Sequence, residues 1–365
     1  MRLLPQGPWG TLRAFGIIIE PPVSMVDHHC ETAPSEWHFS GLPHDGLAQV
    51  FTDAELQEPD RAALLSAARC DATGCGLTPS IEQVARLSGR ARDVIYRRLV
   101  SVPDDANLLP VFRRRVSDED AWSGPEMPAA ARALIAERSF RVGKSMMFVD
   151  MPLLCRALDE TEEGRTARTP VLRSLSRVPS KILQLYVSHD TNIDALVDYW
   201  GEGGRRGELR TMLESLARVP GGTWFDVTHL LPPMARARLY HFPDEAPPLR
   251  DCHWTSFNFF RDPPDDSLMQ TERVNQVLST EYEQVDGSSP RFGDVVLFVR
   301  TDGGTATYLH SAVFVADDVL FTKNGRSPRR PWSLMRLAEV RATYYLATEL
   351  RWLRRRQPVA PWIAK

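Results

Sequence analysis

The chain contains 365 residues, of which 43% are hydrophobic and 25% are charged. This composition is typical of a globular protein, and the length predicts two domains because a single hydrophobic core rarely grows so large. The formal net charge of −3 argues against a general nucleic-acid binder and leaves only local basic patches, such as residues 351–356.

The N-terminal region carries no convincing targeting or membrane-spanning segment. Its apolar run, residues 12–19, contains Arg13 and is stopped by Pro21 and Pro22, which makes a poor secretory signal. No stretch of about 18 apolar residues occurs that could span a membrane. We therefore expect a cytoplasmic protein without a membrane partner.

The cysteines are five in number and irregularly spaced: Cys30, Cys70, Cys75, Cys155 and Cys252. An odd count without a repeating pattern does not predict a disulfide framework in a chain of this length. The spacing of Cys70 and Cys75 also fits neither a Cys-x-x-Cys redox motif nor a zinc site. We predict that the four cysteines other than Cys252 are buried thiols.

The hydrophobic pattern divides the chain into four parts. Residues 1–50 show little periodicity and are predicted to be irregular. Residues 51–235 carry repeated amphipathic patterns and are predicted to form a mostly α-helical domain. Residues 236–353 combine a helix with strand-like alternation, and residues 354–365 form a basic tail. The expected fold class is α+β.

Residues 78–99 predict two helices joined by a turn at Gly89. Their spacing resembles a DNA-binding helix-turn-helix, with Arg97 and Arg98 in the second helix. Two amphipathic helices joined by a glycine also pack in this way inside any small helical domain. Because the chain is acidic overall, the structural interpretation is favoured and nucleic-acid binding is not expected.

The C-terminal part predicts several strands and one helix. The strands are expected at residues 294–300, 311–316, 319–322 and 342–348, and the helix at residues 267–282. Asp317 and Asp318 lie between the second and third strands and predict a tight hairpin turn.

The same region carries a pattern that suits thiol chemistry. Asp251 is a good helix N-cap, which would place Cys252 in the first turn, where free backbone N–H groups favour a thiolate. His310 lies at the start of a strand and can act as the base that accepts the thiol proton. A buried core cysteine remains the ordinary alternative.

This order of residues resembles the NlpC/P60 family of papain-like cysteine peptidases and amidases. Tyr240 lies twelve residues before Cys252, Asp251-Cys252 matches the family's Asp-Cys pair, Gly293-Asp294 precedes an apolar strand, and another strand begins at His310. The resemblance covers about 110 residues of the C-terminal third. It implies a papain-like fold of a helix and a small antiparallel sheet. It also implies Cys252 as nucleophile, His310 as base and Tyr240 as a residue that orients or polarises the scissile carbonyl.

Two features depart from the family pattern. The usual Ser-Gly after the cysteine is replaced by His253-Trp254, which implies a differently shaped groove. The family's third polar residue falls about twelve positions after the histidine, which is Thr322 here. Asn324 would lie on the same face of that strand, and its amide oxygen is the better acceptor for an imidazole N–H. We predict Asn324 rather than Thr322 as the residue that orients His310.

The favoured function is therefore a thiol hydrolase of amide bonds, a peptidase or an amidase, acting on a peptide or amide-containing substrate. The backbone N–H of Cys252, with the Tyr240 hydroxyl, would stabilise the oxyanion. No metal or organic cofactor is implied. One alternative is a non-catalytic interaction protein that retains the papain-like shell, and a less favoured one is a helix-turn-helix DNA-binding regulator.

Overall fold

The structure is a computed structural model that describes residues 1–31, 36–100, 112–115, 127–143, 145–244 and 249–356. The chain divides into two compact units. Unit 1 comprises Met1–Ile19 and Val178–Lys365, and unit 2 comprises Glu20–Arg177. Helices and small antiparallel sheets occur in both, which confirms the α+β class. Residues 357–365 of the predicted basic tail lie outside the described residues.

The regular elements are numbered here in chain order. The described helices are α1 (Val23–Glu31), α2 (His44–Asp53), α3 (Glu58–Ala67), α4 (Ile81–Arg86), α5 (Gly89–Leu99), α6 (Ala129–Arg138), α7 (Met151–Asp159), α8 (Glu162–Leu175), α9 (Ile193–Trp200), α10 (Arg206–Ala217), α11 (Pro233–Arg238), α12 (Cys252–Phe257), α13 (Thr271–Glu281) and α14 (Leu337–Thr343). The described strands are β1 (Arg2–Leu3), β2 (Leu12–Ile19), β3 (Trp37–Ser40), β4 (Arg69–Asp71), β5 (Gly74–Leu77), β6 (Phe112–Arg115), β7 (Phe140–Val142), β8 (Ser145–Phe148), β9 (Val178–Val187), β10 (Thr223–Asp226), β11 (Tyr282–Val285), β12 (Val295–Asp302), β13 (Thr305–Ala316), β14 (Val319–Lys323), β15 (Trp332–Arg336) and β16 (Glu349–Arg355).

The N-terminal residues form part of a four-stranded antiparallel sheet in unit 1, with the order β1-β2-β9-β10. Strand β2 pairs with β9 along its whole length, from Leu12↔Leu185 to Ile19↔Val178. The predicted irregular segment 1–50 and the predicted boundary at residue 235 therefore do not follow the observed division. The apolar residues of β2 do not alternate cleanly, so periodicity gave no strand signal there.

A six-stranded antiparallel sheet in unit 1 has the order β11-β16-β12-β13-β14-β15. The predicted strands at 294–300, 311–316 and 319–322 are present as β12, β13 and β14. The predicted strand at 342–348 is wrong, because Leu337–Thr343 form the helix α14. Alternate residues of β12 and β13 serve two cores. Val295 and Val313 share one with Trp254 of α12, whereas Val296 and Ala312 share the other with residues of α14.

Two disulfides lie in unit 2, and they overturn the prediction of four buried thiols. Cys30 of α1 is bonded to Cys155 of α7, and Cys70 is bonded to Cys75, its partner in the β4–β5 pairing. Cys30 and Cys155 are 125 positions apart, so only the folded chain brings their Cα atoms to 5.7 Å. Disulfides persist mainly in oxidising compartments.

The segment 78–99 forms the two predicted helices, α4 and α5. Arg97 donates to Asp93 within α5 at 2.8 Å, and Arg90 forms an ion pair with Glu55 at 3.2 Å. The Arg92 side chain is buried. These three arginines therefore contact acidic side chains or the interior of unit 2, as expected of a structural helix pair.

Candidate thiol–imidazole site

Cys252 is the first residue of α12, as the sequence predicts. The Asp251 carboxylate caps the helix by accepting a hydrogen bond from the Trp254 backbone N–H at 2.8 Å. The Cys252 side chain is buried and forms no disulfide. Helix α12 packs against β13 and β14, the strands that carry His310 and Thr322. The Arg326 guanidinium lies 3.6 Å from Asp251 and offsets the negative charge that would oppose a thiolate here.

His310 is completely buried on β13 and is held from two sides. Its Nε2 atom lies 2.8 Å from the Thr322 hydroxyl oxygen. Its ring stacks on the Tyr344 ring with 4.0 Å between the centroids, and the Phe298 ring lies at 5.5 Å. Its Nδ1 atom is shielded from solvent and makes no hydrogen bond with any described residue. One ring nitrogen thus contacts Thr322, and the other has no hydrogen-bond partner among the described residues.

Burial lowers the pKa of His310 well below the usual range, and the charge of His253 lowers it further. The imidazole is therefore neutral at rest. A neutral imidazole is the form that can accept a proton from a nucleophile, whereas a preformed thiolate–imidazolium pair would need the charged form.

Asn324, the predicted orienting residue, does not bond to His310 in the structure. Its amide nitrogen donates to the Met335 sulfur at 3.2 Å, and its amide oxygen is buried without a partner among the described residues. Strand β14 ends at Lys323, so the alternation that would have aimed Asn324 at the imidazole no longer applies. Thr322 takes the position instead, at the twelve-residue spacing typical of the family that the sequence resembles.

Tyr240 does not present its hydroxyl to Cys252 in this state. The hydroxyl donates to the Lys181 carbonyl oxygen at 2.7 Å, and the backbone N–H donates to the Trp332 carbonyl oxygen at 2.8 Å. Burial raises the pKa of the Tyr240 hydroxyl, which therefore stays protonated. The backbone of Tyr240 has a φ of 67°, an uncommon value for a residue other than glycine. These contacts fix the chain ahead of Cys252.

The Gly-Asp pair before β12 has a structural role. Both Asp294 carboxylate oxygens accept hydrogen bonds from the Arg354 guanidinium, at 2.9 and 2.6 Å, which ties the start of β12 to β16. Gly293 has a φ of 90°, and a Cβ atom there would lie 2.2 Å from the Phe260 ring. The motif therefore positions the sheet that carries His310.

Tyr344 is the residue at this site that the sequence did not identify. It follows α14, in the segment predicted as a strand, and no spacing connects it to His310. The structure thus joins His310 to Thr322 and Tyr344, and it places α12 against the two strands. The His310 ring shares the face of the sheet that carries Phe298, whereas Trp254 and Phe257 of α12 belong to the core on the other face.

Among the residues that the structure describes, no group of three or more His, Cys, Asp or Glu side chains could hold a metal ion. No helix in the same ranges is long and apolar enough to cross a membrane. Comparisons of this chain with protein-family models, with curated proteins and with solved structures found no match.

Proposed function

We propose that unit 1 contains a papain-like domain of the NlpC/P60 type and that the protein is a thiol hydrolase of amide bonds. The observation that carries the proposal is the arrangement of His310. Thr322 holds its Nε2 at 2.8 Å, its Nδ1 makes no hydrogen bond with the described residues, and its strand packs against the helix that begins at Cys252. A base needs one fixed nitrogen and one free nitrogen.

The proposed reaction begins with a neutral pair. The Cys252 sulfur attacks the carbonyl carbon of the amide as the thiol proton moves to Nδ1 of His310, while the Nε2–H donates to the Thr322 hydroxyl. The resulting imidazolium gives its proton to the departing amine, which leaves a thioester on Cys252. A water molecule then attacks the thioester with His310 again as base, which releases the acid and restores the thiol. The backbone N–H of Cys252 is the proposed oxyanion donor.

The shielding of the site restricts access. The Cys252 side chain is only 6% exposed and His310 is fully buried, so a substrate reaches the sulfur only when neighbouring side chains move. The two disulfides favour maturation in an oxidising compartment over the expected cytoplasmic location. We include an oxidising compartment in the proposal.

Alkylation tests the proposal cleanly, because the other four cysteines are in disulfides and native labelling reports on Cys252 alone. Iodoacetamide is added to the unreduced protein across a pH series, and Cys252→Ser serves as the control. A hydrolase requires Cys252 to react faster than it does in His310→Gln. Hydrolysis of a fluorogenic peptide library by the parent should fall about a thousandfold or more in Cys252→Ser. An inert thiol combined with no hydrolysis would contradict the proposal.

The second candidate is a non-catalytic interaction protein that retains the papain-like shell. It is favoured by the complete burial of His310 between Phe298 and Tyr344, an apolar setting typical of a structural histidine. This candidate predicts that Cys252 stays unreactive in the folded protein and becomes reactive only on unfolding. It also predicts that Cys252→Ser retains every binding activity of the parent.

A further inference from the structure

Unit 2 contains a buried group of charged and hydroxyl side chains that the proposed hydrolase site does not use. Arg92 and Tyr96 come from α5, Arg138 is the last residue of α6, and Asp150 directly precedes α7. Asp150 and Tyr96 are each 1% exposed, and Arg92 is 4% exposed. The Tyr96 hydroxyl donates to Asp150 Oδ1. Four side chains from three elements thus meet in the interior.

The charges of this group do not cancel. Asp150 Oδ2 lies 3.3 Å from Arg92 Nε and 3.7 Å from Arg138 Nη1, so a single carboxylate faces two guanidinium groups. Burial and the neighbouring carboxylate raise the pKa of Tyr96 well above its usual value, so its hydroxyl remains neutral. The buried group therefore carries a net charge of about +1, which is costly to shield from water.

Several guanidinium N–H groups of this cluster also lack hydrogen bonds. Arg92 Nε, Arg138 Nε, Arg138 Nη1 and Asp150 Oδ2 are all shielded from solvent, and none makes a hydrogen bond within the described part of the chain, because Asp150 Oδ2 meets the two arginines only at ion-pair distances. Buried donors of this kind in a native protein usually mark a bound water or ion. The excess positive charge calls for a further acceptor that carries negative charge, and the guanidinium N–H groups without hydrogen bonds can donate to it.

We propose that Arg92 and Arg138 form a binding site for a small monovalent anion of the halide or carboxylate class. Guanidinium N–H groups bind anions of this kind with charge-assisted hydrogen bonds, and one such anion would neutralise the cluster. The Arg138 side chain is 14% exposed, so this end of the cluster lies close to the surface of unit 2. Asp150 repels the anion, but the two positive charges of Arg92 and Arg138 outweigh the single negative charge of Asp150.

Glu137 gives the site a competitor within the chain. Its carboxylate is 3.9 Å from Arg138 Nη2, and its side chain is 68% exposed. It therefore lies at the rim, where it partly satisfies Arg138 from outside. Removing its charge should tighten anion binding about two- to fivefold, which is the factor that corresponds to an exposed ion pair.

The test follows the thermal unfolding of the full chain as chloride or formate replaces gluconate, a much bulkier anion, at constant ionic strength. The parent should show a saturable rise in melting temperature with chloride, with formate, or with both, because an anion bound only by the folded state stabilises it. Arg138→Gln should lose this response. Arg86→Gln, which removes an exposed arginine paired with Asp60 in the same unit, should retain it.

The Glu137→Gln variant changes an exposed side chain and is expected to fold. It therefore tests the anion site even when Arg138→Gln does not fold. Half-maximal stabilisation at a two- to fivefold lower anion concentration supports the site. Three results overturn it: equal stabilisation by gluconate, an unchanged response in folded Arg138→Gln, or unchanged or weaker binding in Glu137→Gln. Each of them leaves buried water as the partner of the guanidinium groups. The outcome is independent of the proposed hydrolase.

Discussion

Replacing Thr322 by Val isolates the contribution of the hydroxyl that contacts His310. Valine has nearly the same shape as threonine, and residue 322 is completely buried, so the substitution opens no cavity. It removes the oxygen that lies 2.8 Å from His310 Nε2 and leaves that nitrogen without its partner in the interior. A buried polar group that loses its partner costs about 1–3 kcal/mol, so the free energy of unfolding should fall by that amount.

Activity should fall together with stability when the proposed mechanism holds. Without the Thr322 hydroxyl no hydrogen bond fixes the tautomer of His310, and a loss of about 1.4 kcal/mol in the transition state lowers kcat about tenfold. Thr322→Ser retains the hydroxyl and should recover most of the rate. Asn324→Ala is the matched control, because Asn324 donates only to the Met335 sulfur, a weak acceptor. That variant should match the parent in both stability and rate.

Urea unfolding of the four proteins measures the stability difference, and the slope of the transition shows whether the variants unfold in the same way as the parent. The reasoning is refuted when Thr322→Val is as stable as the parent. It is equally refuted when Asn324→Ala loses more stability than Thr322→Val, since the imidazole would then depend on Asn324.

Three further predictions address pH, buried charge and backbone geometry. Because the pKa of His310 is lowered in the folded state, stability should fall by up to about 1.4 kcal/mol per unit as pH drops below 6.5, and His310→Gln should flatten the slope in urea titrations. The acid limb of a kcat/KM profile should likewise lie below pH 6.5. Asp150→Asn leaves two buried guanidinium groups without their counter-charge and should cost about 3–5 kcal/mol in chemical unfolding. Gly293→Ala forces a side chain onto a φ of 90° and into the Phe260 ring, and calorimetry should report a loss of about 1–3 kcal/mol.

The strands that carry the candidate site could be predicted because their residues are buried on both faces or alternate between two cores. The sequences of β12, β13 and β14 are apolar runs bounded by turn residues. The turn between β13 and β14 contains Asp317, which has a φ of 52°. The segment 337–348 could not be assigned in this way. Residues 342–347 are a short, mostly apolar run, and such a run does not distinguish a strand from the end of a helix such as α14.

The cysteine pairs show a different limit of sequence reasoning. Disulfide formation depends on the distance between Cα atoms, and nothing in the local sequence of Cys30 or Cys155 reports that the folded chain brings them to 5.7 Å. The odd count was misleading because Cys252 is the extra residue. Once the other four are paired, a fifth cysteine that stays reduced at the start of a helix is more informative than any of the five was in the sequence alone.

The choice between Thr322 and Asn324 shows how geometry overrides chemical preference at this site. An amide is the better acceptor for imidazole, but side-chain direction follows the strand only as far as the strand extends, and β14 ends at Lys323. Thr322 lies inside the paired strand and holds His310 with a neutral hydroxyl. A neutral partner stabilises an imidazolium less than a carboxylate does, and burial already disfavours that charge. In the proposed mechanism His310 would therefore hold a proton only while the bond to sulfur forms, and that mechanism predicts no long-lived ion pair with Cys252.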